Sequence, residues 1–286
     1  MRKYLVLTSI LALTACGGGS GSGGHGGNST DITQPVQDTE TSISSINLSD
    51  LANVDFSGGD DTTYNFIVEN GVIAAFESDG QRYNIMDGNK YIGTYEGEDF
   101  TETELGIIEL LGGENNLKYS DFGYLQRLGY ETNGTFTSDG NAEIIAGGIK
   151  KYEITQPTEE MTFTGTAVAA LTAYSGSNSA PSAMISKTND AVLTFDGQTE
   201  HLTMNFSKAD NAWYDVSIIG NVAKISSANE AHIDSKYRMS QTEFDLANTD
   251  INTTYYGAEN QVSEVISTAK FRDGSVSVET AFGGTK

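Results

Sequence analysis

The chain reads as an all-β protein whose C-terminal half forms an antiparallel barrel, and three observations lead there. Seven Asx-Gly pairs punctuate it: Asn70-Gly71, Asp79-Gly80, Asp87-Gly88, Asn133-Gly134, Asp139-Gly140, Asp196-Gly197 and Asp273-Gly274. Such pairs supply the positive φ angles that tight hairpins require. The runs between them alternate. Leu202, Met204 and Phe206 face one way and Thr203, Asn205 and Ser207 the other, as Tyr214, Val216 and Ile218 oppose Trp213, Asp215 and Ser217. Composition agrees, with 32 Gly and 14 Tyr against 3 Pro, as befits strands joined by many tight turns.

The first element is not part of the fold. Arg2 and Lys3 precede an apolar run from Tyr4 to Leu13, the charged and hydrophobic regions of a secretory signal over residues 1–15, too short for a permanent membrane helix. Leu13-Thr14-Ala15-Cys16 resembles the bacterial lipobox, which implies cleavage before Cys16 and acylation of its thiol and new amine. Each buried methylene adds about 0.8 kcal/mol of membrane affinity, so several acyl chains would anchor the protein stably. Gly17 follows the cysteine where inner-membrane lipoproteins resemble one another in an Asp, which implies the outer membrane. Residues 16–45 are rich in Gly and Ser with little to bury and read as a disordered tether. His25 lies within it as a solvated residue.

From Ile46 the pattern is β. Residues 46–158 form a first lobe, with strands such as Tyr64 to Val68 and Gly71 to Phe76. Glu102 to Leu111 is ambiguous, because Leu105, Ile108 and Leu111 fit a helical turn that Gly106 and Gly112-Gly113 would cut short. The stretch Thr155 to Glu160, containing Pro157, reads as a hinge. Residues 159–286 hold eight or nine strands. They open on one long strand from Met161 to Tyr174, whose Gly165, Ala167, Ala169 and Ala170 would let it bend in a narrow barrel. A closed barrel also removes exposed sheet edges.

The charge is large and uneven. The chain carries a formal −23, and Gly17 to Glu160 holds 25 acidic residues against 6 basic ones. Such a surface repels nucleic acid and anionic lipid and steers a cationic partner inward, besides conferring solubility. With one cysteine already assigned to lipid, no disulfide and no zinc cluster can form. The sequence has no nucleophile elbow, zincin motif, P-loop or dinucleotide fingerprint. His201 and His232 read as strand or loop residues, and acidic pairs such as Glu159-Glu160 as solvated faces. Gly58-Gly59-Asp60-Asp61 lacks the full pattern of a calcium loop. The expectation is a protein that is not an enzyme and has no metal.

Several segments carry a family resemblance. Met161 to Ala170 resembles the opening barrel strand of transferrin-binding protein B and related surface lipoproteins. Thr254-Tyr255-Tyr256-Gly257 through Glu264-Val265 is similar to that family's penultimate hairpin. Ala281-Phe282-Gly283-Gly284-Thr285-Lys286 is similar to its closing signature, and Leu117 to Tyr124 resembles a segment of small lipoproteins exported by the Slam translocator. Ile266-Ser267 departs from the family's Gly-Gly, which puts a bulge there in doubt. The resemblance implies a β handle before an eight-stranded barrel. It also implies display on the Gram-negative cell surface and capture of a host protein: an iron carrier, haemoglobin or a complement regulator, in iron acquisition or immune evasion. Haem is the alternative ligand and a purely structural lipoprotein the third reading. Haem needs an axial His, Met, Tyr or Cys. Residues 46–158 hold no histidine, leaving Tyr or Met86, so no cofactor is favoured. Tyr83, Tyr91, Tyr95, Phe100, Tyr119 and Tyr124 cluster in the acidic lobe. Aromatic anchors amid carboxylates suit a partner carrying Arg and Lys, and the same rings also suit ordinary strand packing.

Overall fold

The computed structural model describes residues 43–58, 62–86, 89–96, 101–174, 181–206, 214–227, 233–247 and 249–286. Cys16, Phe100, Asp87-Gly88, Trp213 and His232 lie outside them. The described residues form two antiparallel sheets and short helical turns, the first at Leu48–Leu51. None of their helices is long and apolar enough to cross a membrane.

The N-terminal sheet comprises β1 (Asp55–Ser57), β2 (Thr63–Glu69), β3 (Val72–Ser78), β4 (Gln81–Met86), β5 (Lys90–Glu96), β6 (Thr101–Leu110), β7 (Ser120–Thr132), β8 (Thr135–Ser138) and β9 (Ala142–Gly148). Consecutive strands pair from β1 to β7, and β9 pairs with both β7 and β1, so the sheet curls back on itself. Phe56, Phe66, Phe76, Tyr91 and Ile145 fill the hollow. The Glu102 to Leu111 segment is a strand and no helical turn. Six of its residues, Glu102 to Ile107, pair with β5 without a break, and the bulge opposite Leu105/Gly106 lies on β7, where Leu128 is the extra residue.

The second sheet comprises β10 (Glu153–Ile154), β11 (Met161–Ala173), β12 (Ser182–Phe195), β13 (Glu200–Met204), β14 (Tyr214–Ile219), β15 (Val222–Ser227), β16 (Glu243–Asp245), β17 (Ile251–Ala258), β18 (Gln261–Asp273) and β19 (Val276–Thr285). Eight of these strands close an antiparallel barrel, with β19 between β18 and β11. Phe163, Leu193, Met204, Phe206, Val216, Ile218 and Phe282 pack inside it, as the alternation in β13 and β14 requires. The change of sheet falls between Gly148 and Glu153, ahead of Pro157, because β10 already pairs with β17.

Turn chemistry follows the Asx-Gly pairs only in part. Asn70-Gly71, Asp79-Gly80 and Asn133-Gly134 have both φ angles positive, the two-residue hairpin geometry. Asp139-Gly140 makes no such turn; Asp139 is buried, accepts from Arg127, and leads into Gly140, which bridges Ser182 of the barrel. Glu259-Asn260, without a glycine, takes a positive-φ pair between β17 and β18 instead. No bulge occurs at Ile266-Ser267, which stay in register with Gly283 and Phe282.

The two sheets pack face to face. β11 is buried on both sides: Ala167, Ala169 and Leu171 point into the barrel, while Val168 and Ala170 pack outward with Ile266 and Ala281 against Phe122, Tyr124 and Ile144. The small side chains of β11 thus admit a neighbouring sheet as well as strand curvature. Gly283 is the deepest contact, since a Cβ there would lie 2.1 Å from Cε1 of Phe122. Glu264, 2% exposed, reaches from β18 into the N-terminal sheet. It accepts from the Lys118 and Tyr119 amides at 2.7 and 3.1 Å and from Ser120 Oγ at 3.0 Å. Two segments with family resemblance, around Leu117 and around Glu264, therefore meet at this seam.

Candidate functional site

The start of β7 fixes where the chain enters the fold. Asp121 is fully buried. Its Oδ2 accepts from Ser44 Oγ, the Ser45 amide and Ser45 Oγ at 3.0, 2.6 and 2.9 Å, and its Oδ1 from the Gly112 and Phe122 amides at 2.7 and 2.8 Å. Burial pushes this carboxyl above its ordinary range, against those hydrogen bonds. The bonds staple Ser44-Ser45 to the start of a strand 13 residues long. At about 3.3 Å per residue, the far end of β7 lies roughly 40 Å away.

At that far end four strands lie side by side. Tyr95, Glu102, Thr132 and Thr135 are in register on one face, and Thr94, Thr103, Glu131 and Phe136 on the other. Tyr95 is 54% and Phe136 53% exposed, so each face presents one open ring beside a carboxylate. Phe136 keeps its place because Gly129 leaves room beneath it: a Cβ there would lie 2.4 Å from Cζ of the ring.

Tyr83, Tyr91 and Tyr95 share the concave face. Two hollows adjoin there, one of about 220 Å³ reaching Tyr64 and Glu143, one of about 210 Å³ reaching Tyr95 and Glu102. Tyr83 and Glu104 line both. Tyr83 stacks on Phe76 with centroids 4.9 Å apart, and Tyr91 meets Phe76 edge-on. Tyr91 donates to Glu104 at 3.0 Å, and Tyr64 donates to Glu143. Burial first, then the neighbouring carboxylate, pushes both phenols well above their usual value, so they remain neutral donors. Arg127 joins Glu104 at 3.0 Å and Asp139 at 3.2 Å. Burial works against its charge, but the two carboxylates outweigh it and raise its pKa. The site has acceptors and aromatic faces but no nucleophile–base pair, and no group of three metal-ligating side chains occurs among the described residues.

The six sequence candidates therefore separate. Tyr95 is open, and Tyr83 is half-buried at the edge of both hollows. Tyr91, 3% exposed, is a core ring rather than a partner contact. Tyr124, 9% exposed, is also corrected: it packs in the seam between the sheets and donates to Glu109 at 2.6 Å. Tyr119 packs against Tyr152 with centroids 4.3 Å apart, on the seam side, and Phe100 lies outside the described residues. Phe136 was missed, because only the pairing of β8 with β7, which lays its ring over Gly129, brings it to the tip. A hollow of about 680 Å³ lies at the barrel seam between Gln198-Thr199-Glu200 and Thr253-Thr254-Tyr255 and shares no residue with the tip.

No family model matches the chain, and no curated protein does. Among solved structures it is similar to intact Ap-TbpB with its N and C lobes, at 17% identity and a TM-score of 0.42 over 81% of this chain. It is also similar to a double mutant of the vaccine antigen Transferrin Binding Protein B from Haemophilus parasuis Hp5, at 15% identity and a TM-score of 0.42 over 81% of this chain. The chain spans less than half the length of these proteins, 45% of the first and 44% of the second.

Proposed function

We propose that this is a non-enzymatic, surface-displayed lipoprotein that captures a host protein through the far end of its N-terminal sheet. One observation carries the reading. The chain is stapled at one end of β7 by Asp121, and the exposed rings of Tyr95 and Phe136 stand at the other end among Glu96, Glu102 and Glu131. A tether leading from the lipidated Cys16 into Ser44-Ser45 would turn that tip away from the outer membrane. Exposed aromatic rings provide buried area and surrounding carboxylates steer a cationic partner. Iron carriers, haemoglobin and complement regulators are the partner classes to test, in iron acquisition or immune evasion.

The test is capture from serum and from red-cell lysate by the immobilised mature chain. Wild type should retain a specific protein at low salt and lose it as salt screens the acidic surface. A Tyr95→Ala/Phe136→Ala double variant should retain at most a tenth as much. Undiminished capture by the double variant would remove the tip from the reading, and a Soret band with haemin without any captured protein would favour haem.

A further inference from the structure

We propose that the outer edge of β8 is a strand-addition site that takes an extended, cationic segment of a protein partner. This deepens the reading that the tip captures protein and rests on it. β8 closes one end of the N-terminal sheet, and its only paired neighbour among the described residues is β7. All four of its residues are exposed. Natural sheets guard such edges with charge, proline, bulges or very short strands; Thr135-Phe136-Thr137-Ser138 has only its shortness to protect it.

Hydrogen-bond phase decides which groups are free. In a two-residue hairpin the residues flanking the turn form a hydrogen-bonded pair, here Thr132 and Thr135. Thr137 then points inward too, and so does Asp139, whose amide donates to the Leu128 carbonyl at 3.2 Å. The N–H and C=O groups of Phe136 and Ser138 must therefore point outward. An added antiparallel strand pairs with these two residues and places its own side chains on the Phe136 face.

That face sets the chemistry of the occupant. Phe136 lies over Gly129 with its other side open, and Glu131 stands directly opposite it on β7. An Arg or Lys on the incoming strand can lie over the ring while its charge is drawn to Glu131. A second copy of this chain would instead bring its own Glu131 and a net charge of −23 against the same surface, so the charge balance selects a cationic partner.

The test uses a random decapeptide library displayed on phage, selected on the mature chain, with Ser138→Pro as the comparison. Ser138 gives its N–H to no β7 partner, so proline removes an outward donor while leaving the ladder intact, which circular dichroism and thermal melting verify. Selected peptides should carry alternating Arg or Lys and bind Ser138→Pro at least tenfold more weakly. They should slow amide exchange at Phe136 and Ser138 but not at Thr135 or Thr137, a readout independent of any variant. Equal binding to Ser138→Pro, no enrichment, enrichment of acidic or neutral peptides, or self-association abolished by Ser138→Pro would each overturn the proposal. Serum capture that survives Ser138→Pro but fails in Tyr95→Ala/Phe136→Ala would sink strand addition and leave the capture function standing.

Discussion

Gly283→Ala probes the joint between the sheets. The new methyl would sit 2.1 Å from Cε1 and 2.4 Å from Cδ1 of Phe122, where carbon atoms normally rest about 3.5–4.0 Å apart. The ring must therefore retreat by about 1.5 Å. Phe122 is fully buried against Val168, Ala170 and Ala281, so it has nowhere to go without disturbing both sheets. Overpacking of this kind costs about 1–3 kcal/mol, and replacing a strand glycine returns about 0.5–1 kcal/mol. The expected net loss is about 1 kcal/mol by equilibrium urea unfolding. Phe122→Ala alone should cost about 3–5 kcal/mol. If the two residues interlock, the double variant should be no less stable than Phe122→Ala, because the methyl enters space the ring has left. The cycle then shows a favourable coupling of about 1 kcal/mol or more. Simple additivity, within about 0.5 kcal/mol, would refute the steric docking.

Three further outcomes follow. Tyr91→Ala should destabilise the protein by about 3–5 kcal/mol, whereas Tyr95→Ala should change stability by less than about 0.5 kcal/mol yet weaken partner capture; matched stabilities for the two would contradict their placement. Glu264→Ala strands the Lys118 and Tyr119 amides and the Ser120 hydroxyl and should cost about 2–4 kcal/mol in urea unfolding, with Glu264→Gln falling between it and wild type. Burial pushes Glu109 up, but hydrogen bonds from Lys187 and Tyr124 outweigh it and hold the carboxyl below its usual range. A depressed acid stabilises above its unfolded pKa and loses that contribution as pH falls through the folded value. The deficit of Glu109→Gln at pH 7 should therefore start to shrink in titrated melts below the ordinary carboxylate range, roughly pH 4, and go on shrinking as pH falls further; a deficit of unchanged size at pH 2 would remove charge from the explanation.

The strand pattern was legible because a period of 2 is written in side chains such as Leu202, Met204 and Phe206. The hairpins were legible where both φ angles are positive, as at Asn70-Gly71. Asp139-Gly140 misled because its dipeptide is the same while its backbone serves an ion pair with Arg127 and a bridge to Ser182. Glu102 to Leu111 misled because it is covered on both sides: Ile108 packs in the hollow and Leu111 in the seam, so its apolar residues do not recur with a period of 2. Tyr91 and Tyr95 could not be told apart in sequence. They lie four residues apart on the same face, and only distance along β5 from the hollow's floor leaves one buried and the other open. The roles of Glu264 and Gly283 needed the second sheet in place, since every partner they meet there is more than a hundred residues away in the chain.

The measurement that bears most directly on the capture reading is hydrogen exchange by mass spectrometry on the mature chain, free and bound to the serum or red-cell protein it retains. Protection should concentrate at residues 94–96, 101–104 and 130–138, with the barrel seam around Gln198 to Glu200 and Thr253 to Tyr255 unchanged. Protection confined to that seam, with the tip exchanging as in the free protein, would contradict capture through the N-terminal sheet.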